Sequence, residues 1–232
     1  MDKITLLLDT ATDDRTFDIV AGYGNTYIYQ VDYEAGMDDK QKIDYVNECY
    51  RNSKADYVIA VDADEFVFGL DGGGVYVGLN GINLNKVNLD GVDGTFGFDI
   101  ARVKLWEVYR HVSDGDLDPG KPVREQRRNG YYRWPYTKPC IARTGQWLTW
   151  GMGCHAVMLG GQRVANKRIQ PVFTGAHWIN ADPCFCIKRR LGTMARQSLR
   201  NLERNLSKHN HNVTEESIRA ELAEHERDPV VI

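Results

Sequence analysis

The stretch ADYVIAVDADEF, residues 55–66, places an apolar run directly before three carboxylates. The run is typical of a buried β-strand, and Asp62, Asp64 and Glu65 follow where that strand would end. In open α/β sheets, ligands bind outside the carboxyl ends of the strands. We therefore expect a functional site at the end of this strand.

The residues before this stretch alternate between strand and helix patterns. Short apolar segments are typical of strands, whereas apolar residues at helical spacing and a glycine stop indicate helices between them. The predicted order is a strand at 3–9, a helix at 13–24, a strand at 25–33, a helix at 37–54 and a strand at 56–62. This alternation predicts a parallel sheet with helical crossovers.

The residues after the stretch predict further strands and then helices. A glycine-rich segment at 69–99 is followed by strand patterns at 98–109, 138–144, 147–159 and 169–179, with a polar loop at 113–130. A helical pattern runs from Asp182 to 206, and Thr214 is a good N-cap for a last helix that ends before Pro229. The predicted fold class is α/β, a mixed sheet flanked by helices, with C-terminal helices.

Composition restricts the class of protein. The chain has 232 residues, 42% hydrophobic and 26% charged, which is ordinary for one globular domain and unlike a disordered chain. No apolar run approaches the roughly 20 residues that span a bilayer, and the start of the chain lacks the pattern of a signal peptide. We expect a cytoplasmic protein. The five cysteines are an odd number, which favours free thiols.

The net charge of −3 hides an uneven distribution along the chain. Residues 1–100 carry 7 Lys and Arg against 19 Asp and Glu, and residues 101–232 carry 22 against 13. An acidic half can attract metal ions, and a basic half can meet phosphates, anionic lipid or an acidic polymer. A solvated surface with uneven charge explains the same numbers equally well.

The spacing of the carboxylates suggests a cation site. On an extended strand Asp62 and Asp64 would point to the same side, and Glu65 would point away. Adjacent like charges repel and raise one another's pKa unless a cation or hydrogen-bond donors compensate. Oxygen ligands favour Mg²⁺ or Mn²⁺, which bind through one or two carboxylates together with substrate phosphates.

The same residues carry a resemblance. ADYVIAVDADEF resembles the D-x-D segment of family 2-like glycosyltransferases with the GT-A fold, in particular the subgroup whose motif ends in D-x-D-E-F. Upstream, LLLDTATDDRT is similar to the family's VVDDGSTDGT segment, with Asp9 and Asp14 on its first and last aspartates. Asn47 lies where the family often has an asparagine. Downstream, KPCIART, GCH and GAHWI resemble later segments more loosely, so the resemblance covers roughly residues 4–192.

The resemblance implies a metal-dependent glycosyltransferase. It would transfer a sugar from a nucleoside-diphosphate sugar to a glycan, lipid or protein acceptor, with Mn²⁺ or Mg²⁺ as cofactor. It implies a GT-A-like catalytic domain at 1–181, divided into a nucleotide-sugar-binding half at 1–68 and an acceptor half at 69–181, followed by a helical segment at 182–232.

The resemblance also implies roles for single residues. Asp9, Asp14 and Asn47 would bind the donor, Asp62 would approach the ribose or the metal, and Asp64 would ligate the metal between the two phosphates. His177 in GAHW is the candidate for a further metal ligand, ahead of His155. Lys138 and Arg143 flank the segment PCIA and are candidates for contacts with donor phosphates or acceptor.

Two features depart from the family pattern. Family members normally begin with another strand before the one that corresponds to ITLLLD, and the sequence leaves no room for it. There is also no clear acidic pair for the general base, and the candidates are Glu107, Asp114, Asp116 and Glu125. The alternative function is therefore a catalytically silent nucleotide-sugar or glycan-binding module with a trimmed fold.

Three other groups have both a functional and a structural interpretation. The aromatic group would either stack an acceptor sugar or pack in the core; it consists of Tyr131, Tyr132, Trp134, Tyr136, Trp147 and Trp150. The cysteines and histidines would either bind zinc or lie apart from one another; they are Cys154, His155, His177, Cys184 and Cys186. The arginines of a basic helix would contact either anionic lipid or water; they are Arg189, Arg190, Arg196, Arg200 and Arg204.

Two further functional classes receive little support. The basic segment 121–134 accompanies no recognised nucleic-acid-binding module, so we predict no nucleic-acid partner. An apolar strand that ends in D-x-D is also the nucleophile motif of haloacid-dehalogenase-like phosphatases. That motif has Thr or Val at the position of Glu65, so this sequence does not match it.

Overall fold

The computed structural model describes residues 3–33, 36–70, 99–127, 129–165, 169, 172–204, 206 and 212–226. This part of the chain is a mixed α/β protein with a curled five-stranded sheet in the form of a half-barrel, two small sheets and C-terminal helices. Within these residues, no helix combines the length and the apolar character that crossing a bilayer requires. Most of the predicted glycine-rich segment, 71–98, lies outside the described residues.

The N-terminal part alternates strands and helices as predicted. Its elements are β1 (Ile4–Asp9), α1 (Thr16–Ala21), β2 (Thr26–Val31), α2 (Asp39–Asn52) and β3 (Tyr57–Ile59). β1 and β2 form a parallel pair, which confirms the first crossover. The side chain of Asp38 accepts a hydrogen bond from the amide of Gln41 and so caps the start of α2.

The predicted continuation of that parallel sheet through β3 is wrong. β1 and β2 form a two-stranded sheet of their own, and β3 pairs antiparallel with β6 (Asn129–Arg143). β3 is also shorter than the predicted strand at 56–62, because the chain leaves the extended conformation after Ile59 and then turns.

The larger sheet has the strand order β3-β6-β5-β10-β4. Besides β3 and β6 it contains β4 (Glu65–Leu70), β5 (Ile100–Tyr109) and β10 (Val172–Asn180). Neighbours pair antiparallel except β5 and β10, which are parallel. β3, β5 and β10 therefore all run in one direction, and their carboxyl ends lie at the same end of the sheet.

The core of this sheet fixes the position of β10. Val103, Leu105 and Phe173 are completely buried between the strands. At Gly175 a Cβ atom would lie 2.3 Å from the carbonyl oxygen of Phe66, so a side chain there would force β4 and β10 apart. The close approach brings the following residues of β10 against the start of β4.

A second core lies between α2 and a small antiparallel sheet. This sheet consists of β7 (Leu148–Trp150), β8 (Val157–Leu159) and β9 (Gln162–Val164), and a single 3₁₀ turn at Met152–Cys154 joins its first two strands. The rings of Tyr50 and Trp150 meet edge to face with centroids 5.1 Å apart. A short helix, α3 (Val123–Gln126), lies within the predicted loop before β6.

The last C-terminal helix begins where the sequence predicts, but the single helix predicted over 182–206 is divided in two, because Ser198 is extended and caps a new helix. The three helices are α4 (Pro183–Ala195), α5 (Leu199–Glu203) and α6 (Glu215–His225). Thr214 forms a capping box with Ser217 at the start of α6. α4 and α6 pack together through Cys186, Ile187, Ile218 and Leu222, all buried.

Candidate functional site

The three carboxylates of the opening stretch lie in a tight turn. The amide of Glu65 donates a hydrogen bond of 3.0 Å to the carbonyl oxygen of Asp62, so residues 62–65 reverse the chain between β3 and β4. Asp is favoured at the first position of such a turn. The prediction that Asp62 and Asp64 share one side of a strand, with Glu65 pointing away, is therefore wrong. The turn directs Asp62 and Asp64 to different cations and Glu65 into the interior.

Asp62 and Glu65 share a buried lysine. Lys42 of α2 lies 2.5 Å from Oδ1 of Asp62, and Lys138 of β6 lies 3.3 Å from Oδ2. Lys138 also forms an ion pair with Glu65, and both residues are 5% exposed. Oε2 of Glu65 in turn accepts a hydrogen bond of 3.1 Å from the amide of Asp62. These contacts hold the turn and four charged side chains in one arrangement.

The charges of this group support one another. Burial alone would raise the pKa of Asp62, but Lys42 and Lys138 outweigh it and hold the pKa well below its ordinary value. Burial would lower the pKa of Lys138, but Asp62 and Glu65 raise it above its ordinary range. Asp62 and Lys138 are therefore charged at neutral pH.

A second group surrounds Asp64. Its Oδ2 atom lies 3.3 Å from Nε2 of His177 and forms an ion pair with Arg189 of α4. The other ring nitrogen of His177 contacts Glu107, whose second oxygen accepts a hydrogen bond of 3.1 Å from Asn180. Strand register explains this, because His177 on β10 stands opposite Glu65 on β4 and Glu107 on β5. The group lies near the carboxyl ends of β5 and β10, at the same end of the sheet as the carboxyl end of β3, where the sequence led us to expect a site.

His177 is protonated between its two carboxylates. Burial alone would lower its pKa, but the hydrogen bonds and charges of Asp64 and Glu107 raise it to about 10. The pKa of Asp64 is lowered, since His177 and Arg189 outweigh the effect of its burial. A metal that binds the Nε2 atom of His177 must therefore displace a proton.

One oxygen of this group has no hydrogen-bond partner among the described residues. Oδ1 of Asp64 is buried and unpaired, although buried carboxylate oxygens are normally satisfied. The other oxygen of this carboxylate, Oδ2, lies 3.3 Å from Nε2 of His177, close to the roughly 3 Å between two neighbouring ligands of an octahedral ion with bonds of about 2.1 Å. These residues fit a divalent metal, with the rest of its ligands supplied from outside this pair.

The remaining predicted donor residues lie apart from these two groups. Asp9 ends β1, and its nearest cation is Arg196 at 4.0 Å. Asp14 is fully exposed and accepts a hydrogen bond of 2.8 Å from the amide of Thr16 at the start of α1. Asn47 is buried, and its amide forms hydrogen bonds of 2.7 and 3.0 Å with the backbone of Trp150.

Arg143 lies at the opposite end of β3 from Asp62. It is in register with Tyr57, and its guanidinium lies over the Tyr57 ring at 5.3 Å. Together with Asp56 and Thr144 these residues line a surface cavity of about 330 Å³. The structure therefore brings Lys138, but not Arg143, to the carboxylates.

The candidates for a general base differ in their surroundings. Glu107 is 1% exposed, and both of its oxygens accept hydrogen bonds. Asp114 and Asp116 lie after β5 and contact His111 and Arg110, and Glu125 is exposed on α3. We therefore give Glu107 the role of orienting His177 and assign no base.

The structure describes two members of the predicted aromatic group, Trp147 and Trp150. Trp150 is buried and donates to the carbonyl oxygen of Pro139, whereas Trp147 is 88% exposed. The side chains of 131–136 lie outside the described residues.

All five cysteines are free. Within the described residues, no three or more His, Cys, Asp or Glu side chains are grouped to hold a metal. Burial, with a smaller effect of Asp62, raises the pKa of the Cys154 thiol to about 12, so in the metal-free protein the thiol is protonated at neutral pH.

The arginines of the basic helical segment contact acidic residues of the chain itself. Four of the five named arginines form ion pairs, namely Arg189 with Asp64, Arg190 with Glu221, Arg196 with Asp9 and Arg200 with Asp38. The pair of Arg189 with Asp64 places α4 directly beside the carboxylates of the turn.

Sequence reasoning missed Lys42, Arg189 and Asn180 as members of the site. Lys42 and Arg189 lie on helices whose sequence gives no sign of which end of the sheet they reach. Asn180 follows His177 by three residues on β10. Its closeness to His177 along the chain is a local signal from which the sequence could have predicted Asn180 as a member of the site.

Comparison with known proteins adds no family. No protein-family model matches the chain, and no curated protein is similar to it at a significant level.

Proposed function

We propose that this chain is a metal-dependent glycosyltransferase with a GT-A-like nucleotide-sugar-binding fold. It would move a sugar from a nucleoside-diphosphate sugar to a glycan, lipid or protein acceptor. The observation that carries the proposal is the buried carboxylate of Asp64, whose Oδ1 is unpaired among the described residues and whose Oδ2 lies 3.3 Å from Nε2 of His177. Lys42, Lys138 and Arg189 are gathered around the same turn. A site for a metal and a diphosphate needs both kinds of group, oxygen ligands and cations.

Each member of the two groups has a role in this proposal. Asp64 and His177 would hold Mn²⁺ or Mg²⁺, and Asp62 would approach the ribose or the metal. Glu107 and Asn180 fix the orientation of His177 through its other nitrogen, as outer-shell partners of metal ligands do. Lys42, Lys138 and Arg189 would bind phosphate oxygens, with Arg189 able to bind two at once.

The bound metal would neutralise charge on the departing diphosphate as a Lewis acid. The lysines and Arg189 would add to that neutralisation from the protein side. Asp9, at the carboxyl end of β1, would face the nucleoside. Asp14 and Asn47 are left out of the proposed site, because the structure engages them in local backbone contacts.

A silent nucleotide-sugar or glycan-binding module is the second candidate. It is favoured by the separate β1–β2 sheet and by the cations that already neutralise both aspartates. Such a module would bind a nucleoside diphosphate without breaking the sugar–phosphate bond.

Hydrolysis of donors in the absence of acceptor tests the proposal. Purified protein with Mn²⁺ should slowly release nucleoside diphosphate from at least one member of a panel of nucleotide sugars. Asp64→Asn should lower that rate at least about 100-fold, since even outer-shell partners of a metal cost 10–100-fold. Asp44→Asn is the matched control, because Asp44 is exposed on α2 and, among the described residues, forms an ion pair with Lys40 alone. Binding without release from any donor would favour the silent module.

A further inference from the structure

We propose that the open edge of β2 pairs with β2 of a second copy of this chain, so that two protomers share one four-stranded sheet in the order β1-β2-β2-β1. The inference is independent of what the site at the turn at 62–65 binds. It follows from the backbone and the side chains of the N-terminal unit, residues 3–31, which consists of β1, α1 and β2.

The N-terminal unit has almost no core of its own. Within residues 3–31 only Leu8 and Val31 are buried, and α1 contributes no buried residue. Parallel strands normally lie in sheets that are covered on both faces, and a sheet of two strands alone is marginal. The unit therefore leaves apolar surface that a further contact can cover.

The backbone of β2 has an open edge. The amide of Ile4 donates to the carbonyl oxygen of Asn25, and Ile4 is in parallel register with Thr26. The odd-numbered residues of β2 therefore form the ladder with β1. The N–H and C=O groups of Ile28 and Gln30 point to the other side, where no partner takes them among the described residues.

The sequence of this edge has no feature that opposes pairing. β2 reads TYIYQV, without a charge, a glycine or a proline, and its register with β1 is continuous. Natural edge strands are usually protected by charges, proline or bulges. Uncharged segments of six residues with high β propensity pair readily with copies of themselves. An edge of this kind favours a partner strand.

The strand β2 is also complementary to itself. In an antiparallel pair about a two-fold axis at Ile28, this residue faces its own copy, Thr26 faces Gln30, and Tyr27 faces Tyr29. The two copies of Ile28 exchange both hydrogen bonds, and the amide of Gln30 donates to the carbonyl oxygen of Thr26. The tyrosines form cross-strand aromatic pairs, and no like charges stand opposite one another. A second copy therefore satisfies the edge on both sides.

Exposed apolar side chains give the contact the size of a specific interface. Five large side chains of the unit are 44–62% exposed, namely Phe17, Ile19, Tyr23, Tyr27 and Tyr29. With roughly 200 Å² for a fully exposed aromatic side chain, the four aromatic residues offer about 400 Å² per copy and about 800 Å² in a pair. Ile19 and the paired backbones raise this toward the roughly 1,200 Å² of the smaller specific interfaces. Because the two-fold axis is perpendicular to the sheet, both α1 helices lie on the same face of it.

Sedimentation velocity of the purified chain tests the proposal. We expect a reversible equilibrium between a monomer of 26.4 kDa and a dimer of twice that mass. The dimer should dominate at about 100 μM, since an interface of this size without deeply buried anchors binds in the micromolar range. A chain that stays monomeric at that concentration overturns the proposal.

Gln30→Pro and Gln30→Ala form a matched pair of variants. Proline removes an N–H group that points to the open edge, and the ladder with β1 does not use that group. We expect Gln30→Pro to raise the dissociation constant of the dimer at least about 10-fold, because each dimer loses two hydrogen bonds. Gln30→Ala keeps the backbone donor and should dimerise as the unmodified protein does. Equal dissociation constants for the two variants would overturn pairing through β2.

Hydrogen exchange decides the question if Gln30→Pro does not fold. In the unmodified protein, the amides of Ile28 and Gln30 should exchange more slowly at about 100 μM than at about 1 μM, because dimerisation protects them. The amide of Tyr29 faces β1 and should change less. If exchange at Ile28 and Gln30 is independent of concentration, β2 does not pair with a second copy.

Discussion

Glu107 illustrates how a single charged residue can be kept in the core of a sheet. It lies on β5, the middle strand of the five-stranded sheet, and is 1% exposed. An unpaired carboxylate buried there would be strongly unfavourable. His177 and Asn180 each donate to one of its oxygens. Since both donors come from β10, Glu107 also fixes the side chains at the end of that strand.

Replacing Glu107 by Gln should therefore destabilise the protein. The glutamine amide keeps the shape of the carboxylate but has no charge opposite His177. Its NH₂ group would also face one of the two hydrogen-bond donors, His177 or Asn180, that now contact the carboxylate oxygens. We expect the free energy of unfolding to fall by about 1.5–3 kcal/mol, the usual contribution of a charged hydrogen bond. Urea denaturation measures the change.

The control for this variant is Glu224→Gln. Glu224 is exposed on α6, and surface substitutions of this kind usually change stability by less than about 0.5 kcal/mol. A Glu107→Gln variant as stable as Glu224→Gln would show that the buried charge is not held as described.

At this scale the sequence indicated that Asp62 and Asp64 follow a strand but not which cations they contact. Asp62 and Asp64 follow an apolar strand, which is a local signal. Their cations are far away along the chain, since Lys138 and Arg189 lie 76 and 125 residues from Asp62 and Asp64. Pairings over such separations depend on strand register, which local patterns do not determine.

At the scale of elements, the C-terminal segment is attached to the start of α2. The amide of Met37 donates to the carbonyl oxygen of Arg196 over 2.7 Å, and Ser198 donates back to Met37 over 3.2 Å. Asn201 is fully buried, donates to the carbonyl oxygen of Met37 and accepts from the amide of Asp39. These contacts fix the first turn of the helix that carries Lys42.

Gly36 makes that attachment possible. Its φ is +87°, and a Cβ atom there would lie 2.7 Å from the carbonyl oxygen of Arg196. We expect Gly36→Ala to cost about 1–2 kcal/mol of stability for the left-handed backbone and about 1–3 kcal/mol more for the clash with the C-terminal segment. Chemical denaturation of the purified variant measures the sum.

Gly145→Ala separates the two contributions. Gly145 has a similar φ of +79°, but nothing lies within 4 Å of the position of its Cβ. It should therefore show the backbone cost alone. Equal losses in the two variants would contradict a tight contact between Gly36 and the segment after α4.

Element types were predictable where the periodicity was strong. α2, α4 and α6 begin at side chains that cap them, Asp38, Asp182 and Thr214, and capping is a local property of the sequence. The failure at β3 has a physical cause as well. The same apolar run suits a parallel or an antiparallel partner, and β6, which pairs with it, lies more than 80 residues later.

For the molecule as a whole, the uneven charge of the sequence is partly matched within the fold. Acidic residues of the first hundred pair with basic residues of the rest, at Asp9 with Arg196, Asp38 with Arg200, Asp62 with Lys138 and Asp64 with Arg189. The two halves thus attract each other both at the turn and away from it. Through Arg189, α4 contributes to the same surface as the carboxylates.

The matched charges also determine how stability depends on pH in metal-free protein. His177 has a pKa of about 10 in the folded state because Asp64 and Glu107 face it from the turn and from β5, against roughly 6.5 in an unfolded chain. Between these values the folded state holds a proton that the unfolded state has released, so stability falls as pH rises. The slope should approach about 1.4 kcal/mol per pH unit. Tm measured with EDTA and a reducing agent from pH 6 to 9.5 should therefore decline steadily.

The variant His177→Gln should lose that alkaline decline, whereas His111→Gln should keep it, because His111 lies on the loop after β5 and forms hydrogen bonds with Ser113 and Asp114 of the same turn. The sign is opposite on the acid side. Asp62 and Asp64 have lowered pKa values, so their stabilisation is present above pH 4 and is lost as pH falls further. A Tm that stays flat from pH 7 to 9.5 in the unmodified protein, or the same slope in His177→Gln, would show that His177 is not held as a cation between its two carboxylates. If His177→Gln is too unstable to melt cleanly, direct titration of the His177 ring by NMR in the unmodified protein gives the same answer.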